Sequence, residues 1–130
     1  MAQFHQLTIK DIRRETDACV SISFHIPEVL QSDFQFKAGQ YITLKVVIND
    51  VELRRDYSIC SSPKSGELRV AVKAVKDGTF SKYANQTLKI GDVIEVSAPN
   101  GRFVFEPNDA NARTIAAFAA GSGITPVLSI

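Results

Sequence analysis

Four consecutive residues, Arg55-Asp56-Tyr57-Ser58, combine a fixed cation, a flat ring and a hydroxyl. An arginine can grip a phosphate through its forked guanidinium, a tyrosine can cover a planar ring, and a serine can donate one hydrogen bond. The same residues also suit a solvated charge, a core ring and a strand end. A second segment, Val72-Lys73-Ala74-Val75, runs into a glycine turn, Gly78-Thr79-Phe80-Ser81, where a helix is expected to begin. Unpaired backbone N–H groups at a helix start favour an anion, although an ordinary capped helix needs no ligand. A third segment, Gly121-Ser122-Gly123-Ile124-Thr125-Pro126, pairs two glycines with a proline at a helix start, and such a turn lets a backbone approach a diphosphate closely.

The elements that must position these groups follow from two hydrophobic patterns. Val20, Ile22, Phe24 and Ile26 alternate with Ser21, Ser23 and His25; Ile42, Leu44, Val46 and Ile48 repeat the pattern, as do Leu68, Val70, Val72 and Ala74. A period of two with one apolar face predicts half-buried antiparallel strands. Turn signals separate them at Ala38-Gly39, Asn49-Asp50, Ser65-Gly66, Gly91-Asp92 and Asn100-Gly101. About six short strands at this spacing predict an all-β fold, a small closed barrel or a sandwich, with a six-stranded antiparallel Greek-key barrel as the first choice. One short helix is expected from about Ser81 to Leu88, capped by Thr79 or Ser81, with a single turn at Pro27 to Gln31.

The last stretch differs. Thr114 to Ala120 is apolar without alternation, as a strand inside a parallel sheet would be, and the glycine turn follows at once. Residues 1–106 therefore read as one barrel domain. Residues 107–130 read as a linker and the truncated start of an α/β nucleotide-binding domain, too short for a βαβ unit. An apolar strand without its neighbours is a template for pairing, so self-association through it is expected.

The 130 residues are 45% hydrophobic, with 15 basic and 14 acidic side chains. That balance offers nothing to hold nucleic acid or an anionic membrane. Neither a secretory signal nor a membrane-spanning run is present, so a cytoplasmic location is expected. Cys19 and Cys60 are read as free thiols, and two cysteines alone cannot hold an iron–sulfur cluster. His5 and His25 are too isolated to suggest a metal site.

In this order and spacing the three segments resemble the ferredoxin-NADP reductase-like flavoenzymes, in the subgroup of oxygenase reductases that includes the phenylacetyl-CoA epoxidase reductase subunit. The signature is Arg55, Tyr57 and Ser58, followed by Gly78 to Ser81. Phe36 to Tyr41, Tyr57 to Pro63, Leu68 to Lys73 and Pro99 to Phe103 extend the likeness across nearly the whole chain. The resemblance implies an FAD-binding domain of an NAD(P)H-dependent reductase that accepts hydride at flavin and passes electrons to a ferredoxin, iron–sulfur centre or oxygenase. It implies that Arg55 pairs with the FAD diphosphate, Tyr57 lies against the flavin, and Ser58, the catalytic candidate, hydrogen-bonds near flavin N5. The backbone of Val72, Lys73 and Ala74 would run beside the cofactor, and Gly78, Thr79, Phe80 and Ser81 would face the diphosphate. Gly121, Gly123, Thr125 and Pro126 would face the pyridine nucleotide in a complete second domain, so these 130 residues alone are expected to be inactive with NAD(P)H. Two positive features around two phosphates favour FAD over FMN. The rival reading is a flavin-free barrel acting as an interaction module, and a free-flavin reductase is a further alternative.

Overall fold

A computed structural model describes residues 3–75, 78–102 and 124–129. Six strands form one sheet: β1 (Phe4–Thr16), β2 (Cys19–His25), β3 (Tyr41–Ile48), β4 (Val51–Ser58), β5 (Leu68–Lys73) and β6 (Val93–Ser97). Their spatial order is β4-β3-β6-β1-β2-β5, with every pair antiparallel. The two outer strands meet through a bridge between Ile59 and Val70, and Cys60 N–H donates to the Arg69 carbonyl at 2.9 Å, which closes the sheet into a barrel. β6 enters between β1 and β3 although it is the last of these six in sequence, the long-range return that makes the expected Greek-key barrel.

The alternation sets which side chains fill the barrel. Ile22, Ile42, Leu44, Ile59, Val70, Val72 and Val96 are all 0% exposed. The β3–β4 hairpin turns at Asn49 and Asp50, both at positive φ (51° and 65°), the two-residue geometry that matches strand twist. At the far end Tyr41 and Asn100 exchange backbone hydrogen bonds of 2.8 and 2.9 Å. The next residue, Gly101, sits at φ 121°, where an added Cβ would fall 3.1 Å from the Tyr41 ring.

Two details differ from expectation. The helix α1 spans Thr79–Gln86, two residues earlier than the periodicity suggested, and its N-cap is Gly78 with no side-chain cap. The Ser81 hydroxyl instead accepts from Val75 N–H at 3.1 Å, so it ties the helix to the exit of β5. The polar face of β2 is also buried: Ser21 and Ser23 are 2% and 0% exposed, because the Arg69 side chain reaches across β2 to Asp11 on β1. Pro27 to Gln31 holds a single 3-10 turn at Glu28–Leu30, as anticipated.

A second helix, α2 (Ile124–Ser129), rests on the barrel of its own chain, where the Ser129 hydroxyl donates to the Ser61 carbonyl at 2.7 Å. The expected strand Thr114 to Ala120 and the glycines Gly121 and Gly123 lie outside the described residues. No helix among the described residues is long and apolar enough to cross a membrane.

Candidate cofactor cleft

A cleft of about 910 Å³ opens on the outer side of the barrel, where the β4–β5 closure, the start of α1 and α2 converge. Its volume lies within the range of small-molecule and cofactor sites. The signature residues reach it from separate elements. β4 delivers Arg55, Tyr57 and Ser58; the outer face of β5 delivers Lys73; the turn into α1 delivers Gly78, Thr79, Phe80 and Ser81; α2 delivers Thr125 and Leu128.

Arg55 is exposed, and its guanidinium makes no ion pair among the described residues; Nη1 donates to the neighbouring Arg54 carbonyl at 2.8 Å. It is a cation with most of its donors free to take an anion. Across the cleft the first helical hydrogen bond of α1 runs from Lys82 N–H to the Gly78 carbonyl at 3.3 Å. The amides of Thr79, Phe80 and Ser81 therefore have no acceptor within the helix, and the helix dipole adds positive potential there. Gly78 is required by packing: an added Cβ would clash with the Val75 side chain and fall 2.5 Å from the Ser81 Oγ.

Tyr57 stands between these features. Its ring tilts at 41° to the Phe80 ring with centroids 5.8 Å apart, so β4 and α1 are locked ring to ring. Burial pushes its hydroxyl up to about 12, partly opposed by the Arg55 charge. The phenol is thus neutral through the physiological range and offers a flat, uncharged face. A folded-state value raised above the ordinary 10 means the native protein holds this proton more tightly than the unfolded chain. The contribution is fully present below pH 10 and is lost as pH rises towards 12. Tyr57→Phe should therefore lose less stability than the wild type between about pH 9 and about pH 11.5, read as the shift in urea midpoint. Identical shifts in both proteins would mean the phenol ionises as freely folded as unfolded.

Of the segment whose backbone is expected beside the cofactor, the side chains of Val72 and Ala74 do not line the cleft. Val72 is 0% exposed in the core, and its carbonyl accepts from Asn85 Nδ2 at 3.0 Å. Ala74 N–H donates to the Ala18 carbonyl at 2.6 Å. Strand alternation explains this, since Ala71, Lys73 and Val75 line the cleft while Val72 turns inward. The side chain of Pro126 lies outside the described residues, as do Gly121 and Gly123. Conversely, the sequence pattern did not single out Arg13, Glu15, Thr16, Cys19, Ser21, Cys60 and Arg69, all of which line the cleft. The polar positions of β2 carried that signal, because a serine opposite the core face must meet either water or a partner.

Asn85 holds α1 in place. Its amide donates to the carbonyls of Val72 and Ser81, and Arg14 donates to its side-chain and main-chain oxygens at 3.0 and 2.6 Å. Both cysteines are free, and burial is the leading cause that pushes each thiol up. Among the described residues no group of three His, Cys, Asp or Glu side chains is placed to hold a metal ion.

A guanidinium with no ion pair among the described residues, three amides with no acceptor within the helix and a flat aromatic wall fit a diphosphate-bearing cofactor with a planar ring. Comparisons with known proteins agree. Residues 6–105 match the family described as the oxidoreductase FAD-binding domain. The chain is 45% identical over 130 residues to a 1,2-phenylacetyl-CoA epoxidase subunit of Escherichia coli (strain K12), covering all of this chain and 36% of that protein. Among solved structures, phthalate dioxygenase reductase is 30% identical with a TM-score of 0.75, over 97% of this chain and 38% of that one. The flavohem-like FAD/NAD binding domain of the Vibrio cholerae O1 biovar El Tor nitric oxide dioxygenase shares the fold, with a TM-score of 0.80 at 24% identity, over 95% of this chain and 54% of that one. The chain thus spans roughly a third to a half of the proteins it resembles, and it belongs to the oxidoreductase FAD-binding domain family.

Proposed function

We propose that the chain binds FAD as the flavin-carrying part of an NAD(P)H-dependent reductase that passes electrons to a ferredoxin, an iron–sulfur centre or an oxygenase. The observation that carries the reading is the Arg55 guanidinium, without an ion pair among the described residues, sharing one cleft with the amides of Thr79, Phe80 and Ser81, which have no acceptor within the helix. FAD bound there would supply the two-electron chemistry, and the protein supplies binding, orientation and electrostatics.

In this reading Arg55 and the α1 amides bind the diphosphate. Tyr57 provides the face against which the ring rests. Ser58, half-buried on the same strand, places its hydroxyl at the ring's reactive edge. Ser81 acts through the loop, because its hydroxyl holds Val75 and so keeps the amides aimed into the cleft. Hydride transfer to a flavin needs no acid–base pair from the protein, which suits a wall without paired catalytic carboxylates and histidines. Residues 1–106 form the flavin unit in this scheme and residues 107–130 begin the nucleotide-binding unit, in a cytoplasmic protein whose apolar segment Thr114 to Ala120 would also pair between copies. The name of the Escherichia coli relative points to an oxygenase as the acceptor class.

The test is direct. Purified protein incubated with FAD and desalted should retain one flavin per chain, absorb in the visible range and release the flavin on denaturation. FMN should bind more weakly, since it offers one phosphate to a site built for two. A colourless protein with no saturable FAD binding would leave the barrel as an interaction module.

A further inference from the structure

The cleft carries a second charged group that gripping phosphates and stacking a ring do not use. Arg69, on β5, is 7% exposed. Its Nη2 donates to Asp11 Oδ2 at 2.5 Å, its Nη1 to Ser21 Oγ at 2.7 Å, and its Nε to Glu67. Ser21 in turn donates to Glu15 at 2.7 Å, and Arg13 lies 3.8 and 3.9 Å from Asp11 and Glu15. A guanidinium taken out of water is tolerated only when so paired. The arrangement is also directional: Arg69, Ser21, Arg13 and Glu15 line the cleft, whereas Asp11 and Glu67 stand outside its lining. Arg13 and Glu15 offset each other, so at this end of the cleft wall the charge nearest a ligand is that of Arg69, with its two carboxylates behind it.

Position along β5 shows which part of a ligand this charge meets. The cleft side of the strand runs Arg69, Ala71, Lys73 and then on to the anion-binding start of α1. Residues two apart on a strand are about 6.6 Å apart, which puts Arg69 about 13 Å from Lys73, at the opposite end from the phosphates. There it adjoins Cys60, whose N–H and thiol both donate to its carbonyl, at 2.9 and 3.5 Å, and Cys60 follows Ser58 by two residues. In the flavin reading above, Ser58 meets the ring, so the planar ring would lie at this end.

We propose that Arg69, held by Asp11 and Glu67, sets the reduction potential of the bound flavin by presenting a fixed positive charge at the ring end of the cleft. The proposal rests on the flavin reading above. A hydride delivers two electrons and one proton, NAD(P)H leaves as NAD(P)+, and the reduced ring gains one negative charge. A buried cation on the cleft wall favours that product over the neutral oxidised ring. Asp11 works in the opposite sense, since it neutralises part of the charge that Arg69 presents.

Reduction potentials of the FAD-loaded protein, measured against a reference dye, test this. Arg69→Met should lower the affinity for reduced relative to oxidised FAD about tenfold, which is about 30 mV in a two-electron couple. Asp11→Asn should raise that ratio about threefold, or about 15 mV. Arg69→Lys, which keeps the charge and loses the fork, should stay near the wild-type potential while losing stability. Opposite shifts for Arg69→Met and Asp11→Asn support the proposal; a purely structural role would move them together. If Arg69→Met does not fold, Asp11→Asn decides alone: Asp11 is 40% exposed, and an unchanged or lowered potential in that variant overturns the proposal. A wild-type protein that takes up no FAD removes the flavin reading itself, and this inference with it.

Discussion

Replacing Arg55 by alanine is expected to weaken FAD binding by about tenfold to a hundredfold while leaving the unfolding midpoint nearly unchanged. A hydrogen bond to a charged group contributes roughly 1.5–3 kcal/mol, and each 1.4 kcal/mol is tenfold in affinity. The separation of the two effects comes from the structure. Arg55 is exposed, makes no ion pair among the described residues and touches its own chain through the Arg54 carbonyl. Removing it breaks no core contact and orphans no buried partner, so the loss reports on the ligand. Lys73→Ala is the control. Lys73 also lines the cleft and is exposed, but an ammonium offers no bidentate fork to a phosphate, and its loss should weaken binding less. Flavin fluorescence titrations of the two variants measure the difference, and equal affinities would take Arg55 out of the diphosphate site.

The sequence made much of this legible because the strands obey a strict period. β2, β3 and β5 lie where Val20 to Ile26, Ile42 to Ile48 and Leu68 to Ala74 placed them, and each turn signal fell between elements. β1 was hidden. Its buried Leu7 and Ile9 are followed by Ile12 instead of a residue at 11, because register shifts between Ile9 and Asp11 and between Arg14 and Thr16 break the alternation. A bulge moves every later side chain to the other face, and no local pattern announces it. In the site, Arg55, Tyr57, Ser58 and Gly78 to Ser81 were visible because one short segment holds each group. The Arg69–Asp11 pair was not, because 58 residues separate its members and only the β1–β2–β5 order brings them together. The pleat is visible at Val72 and Lys73: the resemblance gave the backbone of Val72, Lys73 and Ala74 a place beside the cofactor, and along that backbone the Val72 side chain is buried in the core while Lys73 is exposed.

Phe80→Ala should be the most damaging single change outside the barrel strands, costing about 3–5 kcal/mol of folding free energy. Read from the sequence, Phe80 was one residue of a phosphate-facing turn. In the structure it is 1% exposed, joins the core cluster and packs its ring against Tyr57. It is the bolt by which the first turn of α1 is fastened to the barrel, and the amides of Thr79, Phe80 and Ser81 are aimed by that fastening. Against a domain stability of about 5–15 kcal/mol, the loss removes a fifth or more of the margin. Urea unfolding without FAD reads the folding term, and flavin titration of the protein that remains folded reads the second. Both should fall in Phe80→Ala. Phe80→Leu keeps most of the apolar volume, so it should cost less than about 1.5 kcal/mol and retain most of the affinity. The contrast separates packing from ring chemistry. If Phe80→Leu binds FAD as poorly as Phe80→Ala, the Tyr57–Phe80 ring contact shapes the cleft; if Phe80→Ala folds with less than about 1 kcal/mol lost, the helix start is held by the Ser81 and Asn85 hydrogen bonds instead.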